Sequence, residues 1–359
     1  MTPTAAVATT PPASGTSASA DFAVVGGRRF SGLIEVSTDL AVLDRRDSGA
    51  WVVVLPFEGP AICARFATVS PATDGGAGLA PAPRGRGPQP AAWTSSLGRR
   101  DYAERVTIVR EAIAAGDVYQ VNLCRRLSAP LSGAGDDALL GIGAALAARH
   151  PSPHGAMVWL PCVDVAVASA SPECFLRLRG RSVESRPIKG TTAPGGAFGT
   201  KDRAENVMIV DLVRNDLGRV CEPGSVEVPT LCRPEPHPGL VHLVSTVRGC
   251  LRAGVGWPDL LSATFPPGSV TGAPKAAALD VIAGLEPVAR GVYCGAVGWV
   301  DATTGDGDLN VAIRTFWSQD GALHFGTGAA VTWDSTPDGE WEETQLKAHR
   351  LLAVACGRR

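Results

Sequence analysis

The chain has 359 residues, 45% of them hydrophobic, and a formal net charge of −2, enough for a sizeable core and no invitation to nucleic acid or an acidic membrane. No apolar run reaches the roughly 18 residues of a membrane span, and residues 156–170 are interrupted by Pro161 and Asp164. Nine cysteines without a Cys-x-x-Cys pair, behind an N-terminus that lacks a secretion signal, predict reduced thiols in a soluble cytoplasmic protein.

Residues 1–20 are Ala, Thr, Pro, Ser and Gly with little else, a composition that predicts a disordered tail. Residues 21–69 contain apolar runs such as Trp51-Val52-Val53-Val54-Leu55 and predict a small strand-rich segment. Residues 70–98, rich in Pro, Gly and Ala, predict a linker or loop, which leaves 99–359 as the main domain. There Tyr102, Val106, Val109 and Ile113 recur at helical spacing, and Gly116 offers a C-cap. In the strand that follows, Tyr119, Val121 and Leu123 share one face, while Gln120 and Asn122 share the other and must meet something polar. Further strands are expected at Ala156–Trp159, Val163–Ala168, Phe175–Leu178 and Val292–Val300. Glu205 opens a helix with Ile209, Leu212 and Val213 on one face, closed by Gly218. Thr336-Pro337 begins a last helix, on which Glu340, Glu343 and Lys347 align. Taken alone, that stripe reads as a solvated charged face. The irregular spacing of strands and helices favours an α+β fold over a doubly wound sheet.

Four runs carry the chemical signal: Pro187-Ile188-Lys189-Gly190-Thr191, Lys201-Asp202-Arg203-Ala204-Glu205-Asn206, Gly268 to Lys275, and Glu340-Trp341-Glu342-Glu343-Thr344. Together they resemble the chorismate-utilising enzymes, from about Arg99 to the C-terminus. That resemblance implies an α/β sandwich of two large antiparallel sheets packed face to face, with helices outside. It also implies Mg²⁺ on Glu205 and Glu343, helped by Glu340. The assignment suits a hard ion held by few carboxylates plus a dianionic substrate.

Further matches imply a substrate-binding set: Arg314 and Tyr293 for a carboxylate, backbone donors at Gly328, Ala329 and Ala330, and a hydroxyl from Ser269 or Thr271. An Arg fork suits two carboxylate oxygens. Ala330 and Cys174 depart from the pattern, which usually has Gly and Arg there. Glu173 matches the acid/base of the family and His242 a proton-handling histidine. Gln120 replaces the Lys that activates water in the isochorismate-forming members, and an amide cannot serve as that base.

Within the family it resembles, a Lys at the position of Lys189 marks the branch that aminates chorismate at C4, and the resemblance implies a covalent lysine adduct at C2; anthranilate synthases usually carry Ala there. For the lysine to attack, its pKa must fall; burial would lower it and nearby carboxylates would raise it. No glutaminase signature is present, so ammonia is expected from solution or, as the resemblance implies, from a separate glutamine amidotransferase subunit in a heterodimer. The alternatives are an anthranilate synthase large subunit and a non-catalytic chorismate-binding protein.

Overall fold

The computed structural model describes residues 21–72, 87–131, 135–237 and 240–357. The expected tail, residues 1–20, and positions 73–86 of the expected loop lie outside the described residues. Among the described residues, eighteen strands form one connected antiparallel network. Its midpoint is the strand Ile62–Pro71, which pairs on one side with Arg28–Ser37 and on the other with Ala50–Leu55.

From this midpoint the network runs out in two arms. The first continues through Phe22–Val25, Ala156–Leu160, Val165–Ser169, Thr315–Gln319 and Ala322–Val331 to Gln120–Pro130, which also pairs with the short strands Thr94–Ser95 and Gly272–Ala273. The second continues through Ala296–Asp301, Gly307–Val311, Cys174–Arg179 and Ser182–Arg186 to Leu240–Cys250, flanked by Ile188–Thr192 and Glu227–His237. The expected pair of sheets is thus a pair of arms joined through one shared strand.

Side-chain alternation decides how the arms pack. Val158, Leu160, Val167 and Trp317 point inward and share a core with Val54, Leu176 and Val297 of the second arm. Their neighbours Met157, Trp159, Ala168 and Phe316 point outward into a second core, sealed by helices. Six helices are present among the described residues: α1 Arg99–Ala115, α2 Gly135–Arg149, α3 Thr200–Gly218, α4 Trp257–Thr264, α5 Lys275–Leu285 and α6 Pro337–Ala355. Leu139, Ile142 and Leu146 of α2, with Leu351 and Val354 of α6, cover that outer face. Tyr102, Val106 and Val109 of α1 join Ala278 and Ile282 of α5 over Val121 and Leu123.

The caps follow the sequence. Gly116 takes a left-handed conformation (φ 85°) and donates to Ala112 and Ile113, ending α1. Thr336 accepts from the Gly339 N–H, with Pro337 at N1 of α6. Several expectations shift. α3 begins at Thr200 rather than at Glu205, and Val163 ends a 3-10 turn ahead of the strand Val165–Ser169. The segment Val292–Gly295 is a turn rather than a strand, because Gly291 and Cys294 hold positive φ; pairing begins at Ala296. Tyr119 precedes its strand and is 70% exposed, while Gln120 and Asn122 are buried. No described helix is long and apolar enough to cross a membrane.

Candidate active site

Lys189 sits on a β-bulge. Ile188 pairs with Val244 and Thr191 with His242, and the register shifts between them. Gly190 supplies the left-handed residue (φ 83°), and a Cβ there would meet Asp202 of α3 at 2.9 Å, so the bulge also lets α3 approach. The bulge directs Lys189 into the protein, where it is 9% exposed. Burial pulls its pKa down; Glu205, Glu173 and Glu343 pull it up and Lys347 pushes it further down, and the net direction is downward.

Glu173 stands just ahead of the strand Cys174–Arg179. Its carbonyl accepts from the Val311 N–H (3.1 Å) and its own N–H donates to Ser171 Oγ (3.2 Å). The carboxyl is buried. That burial raises its pKa to about 7, against the opposing pull of a Ser269 hydrogen bond, Lys189, the Ile188 N–H and Arg314. A cavity beside it is lined by Glu173, Ser185, Pro187, Asp216, Gly268 and Ser269. The hydroxyl of Thr271 instead serves its own turn, 3.2 Å from both the Pro267 and Gly268 carbonyls. Of the two candidate hydroxyls, that of Ser269 is the one that reaches Glu173.

His242 faces Thr191 across the strand pair, with Nδ1 2.8 Å from Thr191 Oγ1 and Nε2 3.4 Å from Arg314 Nη2. Burial and the Arg314 charge lower its pKa to about 3. Arg314 adopts φ 54°, a left-handed conformation rare for a side-chain-bearing residue, and its charge also acts on Glu173. Lys189, Glu173, His242, Arg314 and Ser269 therefore form one connected group.

The carboxylates expected to hold a metal converge from two helices. Asn206 Nδ2 donates to the Leu243 carbonyl (2.9 Å), which pins α3 and Glu205 to the His242 strand. Arg125, buried on the strand Gln120–Pro130, holds α6: it donates to Thr344 Oγ1 (2.9 Å) and Gln345 Oε1 (2.5 Å) and lies 4.4 Å from the Trp341 ring. Between the helices, Lys201 Nζ lies 3.8 Å from Glu205 and 3.4 Å from Glu340. Lys347 lies 2.6 Å from Glu343. Glu340 is 3% exposed; Ser335 Oγ donates to its Oε1 (2.5 Å), while Oε2 is buried without a hydrogen-bond partner. The open buried oxygen of Glu340 is chemically suited to a hard divalent cation. The oxygens of Glu205, Glu340 and Glu343 influence one another electrostatically but do not all lie within 4.8 Å of one another, and Lys201 stands between Glu205 and Glu340.

The Gly-rich run is mid-strand, and the ladder decides which of its amides are free. Lys347 Nζ donates to the Gly328 carbonyl (3.1 Å), so that carbonyl points away from the strand Gln120–Pro130. Opposite it, the Cys124 N–H bonds Glu286 and the Asn122 N–H bonds Thr271, not Gly328 or Ala330. In an antiparallel strand a residue's N–H and C=O point the same way. Gly328 and Ala330 therefore aim their N–H groups toward the α6 side, past Phe325, where pairing with Thr315–Gln319 has ended. Ala329, paired with Leu123, spends its amide in the ladder. Tyr293 packs on this strand, since a Cβ at Gly326 would meet its Cγ at 2.0 Å, and its other neighbours are Cys124, Cys294 and Arg290. Gln120 is fully buried, and neither side-chain amide atom has a hydrogen-bond partner.

Sequence reasoning passed over Arg125, Lys201, Ser335 and Thr191. Lys201 was visible as an i, i+4 partner of Glu205, and Ser335 lies just ahead of the helix that carries its partner Glu340; Arg125 and Thr191 act through contacts far apart in the chain.

A family model described as chorismate binding enzyme matches residues 61–353. "Aminodeoxychorismate synthase component 1" of Klebsiella aerogenes is 40% identical over 73% of this chain and 59% of its own length. "Anthranilate synthase component 1" of Streptomyces coelicolor is 43% identical over 73% of this chain and 52% of its own. The chain thus spans somewhat over half the length of these relatives. The crystal structure of anthranilate synthase component I from Streptococcus pneumoniae superposes with a TM-score of 0.72 at 26% identity, covering 86% of this chain and 81% of that one.

Proposed function

The chain belongs to the chorismate binding enzyme family, and we propose that within it the protein aminates chorismate at C4, giving 4-amino-4-deoxychorismate, with ammonia from a glutamine amidotransferase subunit. The observation that carries this reading is the buried Lys189, on a bulge that directs it toward Glu173, Glu205 and Glu343. The depressed pKa favours the neutral amine that a nucleophile must present.

In this reading Lys189 Nζ bonds to C2, the ring double bonds shift, and the C4–O bond breaks. The departing hydroxyl takes the proton of Glu173 and leaves as water. Ammonia then bonds to C4, the double bonds shift back, and the C2–N bond breaks to release the lysine amine. Glu173 recovers its proton from the new ammonium group. A carboxyl with a pKa near 7 is suited to both transfers at neutral pH. Arg314 and the Gly328 and Ala330 amides hold substrate carboxylate. Mg²⁺ on Glu205, Glu340 and Glu343, when bound, supplies the positive charge that lets a dianionic substrate lie beside these acids. The "component 1" in the relatives' names supports a partner subunit.

A second reading, amination at C2 with loss of pyruvate, has the support of the Streptomyces coelicolor relative at like identity. Product identity separates the two. Purified chain with chorismate, Mg²⁺ and ammonium salt should give a product that keeps its enolpyruvyl group; anthranilate with free pyruvate would overturn the C4 assignment. Chorismate bound but never consumed would point to a non-catalytic protein.

A further inference from the structure

Away from the carboxylate helices, three potential ligand side chains meet where the loop before Ala156–Leu160 crosses the strands Cys174–Arg179 and Gly307–Val311. His154 Nδ1 lies 3.5 Å from Asp308 Oδ1, and the ligand atoms of His154, Cys174 and Asp308 all lie within 4.8 Å of one another. We propose that these three residues form a separate metal centre, one suited to Zn²⁺ or a similar borderline-soft divalent ion. It does not depend on the proposed amination chemistry.

The donor set is the first argument. One imidazole nitrogen, one thiolate and one carboxylate oxygen suit zinc, whereas a hard ion such as Mg²⁺ selects oxygen alone. Tetrahedral zinc, with bonds of about 2.0–2.3 Å, sets its ligand atoms roughly 3.3–3.8 Å apart. The His154–Asp308 separation already lies in that range, and the wider separations need to close by no more than about 1 Å.

The scaffold is the second argument. Cys174 pairs with Asn310 and Arg177 with Asp308, across a register shift at Leu309 and Asn310. Asn310 Nδ2 donates to the His154 carbonyl (2.7 Å) and fixes the loop that delivers the imidazole. Arg177 Nε donates to Asp308 Oδ2 (2.8 Å), which turns Oδ1 toward His154. A hydrogen-bonded partner on a ligand's second atom is the usual outer support of a metal carboxylate. The charges also close, since thiolate and carboxylate neutralise a divalent ion while Arg177 remains paired to Oδ2. The His154 and Asp308 side chains are 8% and 15% exposed, which leaves a fourth position within reach of water. An ion there would tie the loop to the strand that begins immediately after Glu173.

The test uses the full chain, stripped with chelator and titrated with Zn²⁺ by calorimetry and with Co²⁺ by absorption. One equivalent should bind, with a thiolate-to-cobalt charge-transfer band in the near ultraviolet. Loss of an outer-shell partner costs about 10–100-fold in affinity, so Cys174→Ser should abolish the band and weaken Zn²⁺ at least about 100-fold. His154→Gln, in a loop, should weaken Zn²⁺ similarly, and it decides the matter should Cys174→Ser fail to fold. Glu205→Gln with Glu343→Gln should leave the band intact. No thiolate band in the wild-type chain, or a band and Zn²⁺ affinity unchanged by Cys174→Ser and His154→Gln, would overturn the proposal.

Discussion

Thr191 and His242 face each other across adjacent strands, with Oγ1 of the first 2.8 Å from Nδ1 of the second. The opposite ring nitrogen, Nε2, meets the Arg314 guanidinium, which can only donate. Nε2 must therefore accept, and the proton of the neutral ring sits on Nδ1, donated toward Thr191. Burial and Arg314 lower the pKa to about 3. A folded-state value depressed below the unfolded one gives stability that is full above about pH 6.5 and lost as pH falls toward 3. Nitrogen-15 NMR of the imidazoles should show His242 neutral and Nδ1-protonated down to pH 5, where the associated loss is about 2 kcal/mol. A His242 midpoint near 6.5 would defeat the assignment.

Glu173 carries the opposite sign. Burial raises it from 4.5 to about 7, so its contribution is fully present below about pH 4.5 and lost as pH rises through 7. Glu173→Gln removes that dependence. Urea unfolding of both proteins at several pH values should show the variant gaining on wild type across this window, by about 3 kcal/mol at pH 8. A difference that does not change with pH would mean that the carboxyl ionises normally.

Local signals in the sequence were sufficient for the helix caps at Gly116 and Thr336, the strand at Ala156–Trp159, and the polar partner of Asn122, whereas Gln120 is buried with its amide unpartnered. Each depends on residues within a few positions of one another. The turn at Val292–Gly295 was hidden because Cys294 takes φ 65° without a glycine to announce it. Ala329 could not be separated from Gly328 and Ala330, since only the strand opposite decides which amides remain free. Glu340 and Glu343 look alike along the helix, yet Glu340 is buried because Ser335 and Lys201 enclose it. Arg125, a buried cation that holds α6 through neutral partners and an aromatic ring, gave no signal at all along the chain.

The two carboxylate helices lead to a prediction about metal dependence. Glu205→Gln and Glu343→Gln should each weaken Mg²⁺ binding and slow turnover together, because each removes one charged oxygen donor from a site that uses few. The expected loss in Mg²⁺ affinity is at least about tenfold, read by calorimetry as well as by activity. Glu340→Gln should also weaken binding, since its Oε2 is the buried oxygen without a partner. Full Mg²⁺-dependent turnover in both of the first two variants would remove them as ligands.

Lys189→Ala addresses the proposed nucleophile. The lysine stands 9% exposed, and truncation leaves Arg314 and the Gly328 and Ala330 amides untouched. Chorismate affinity should therefore change by less than about fivefold, a shift of about 1 kcal/mol. Turnover to 4-amino-4-deoxychorismate should fall by about 100-fold or more, or the product should change, because the two-step displacement loses its covalent intermediate. Lys189→Arg separates charge from nucleophilicity, since a guanidinium keeps the positive charge but stays protonated. If Lys189→Arg retained wild-type product and rate, the residue would be acting through its charge, and the covalent step would have to be abandoned.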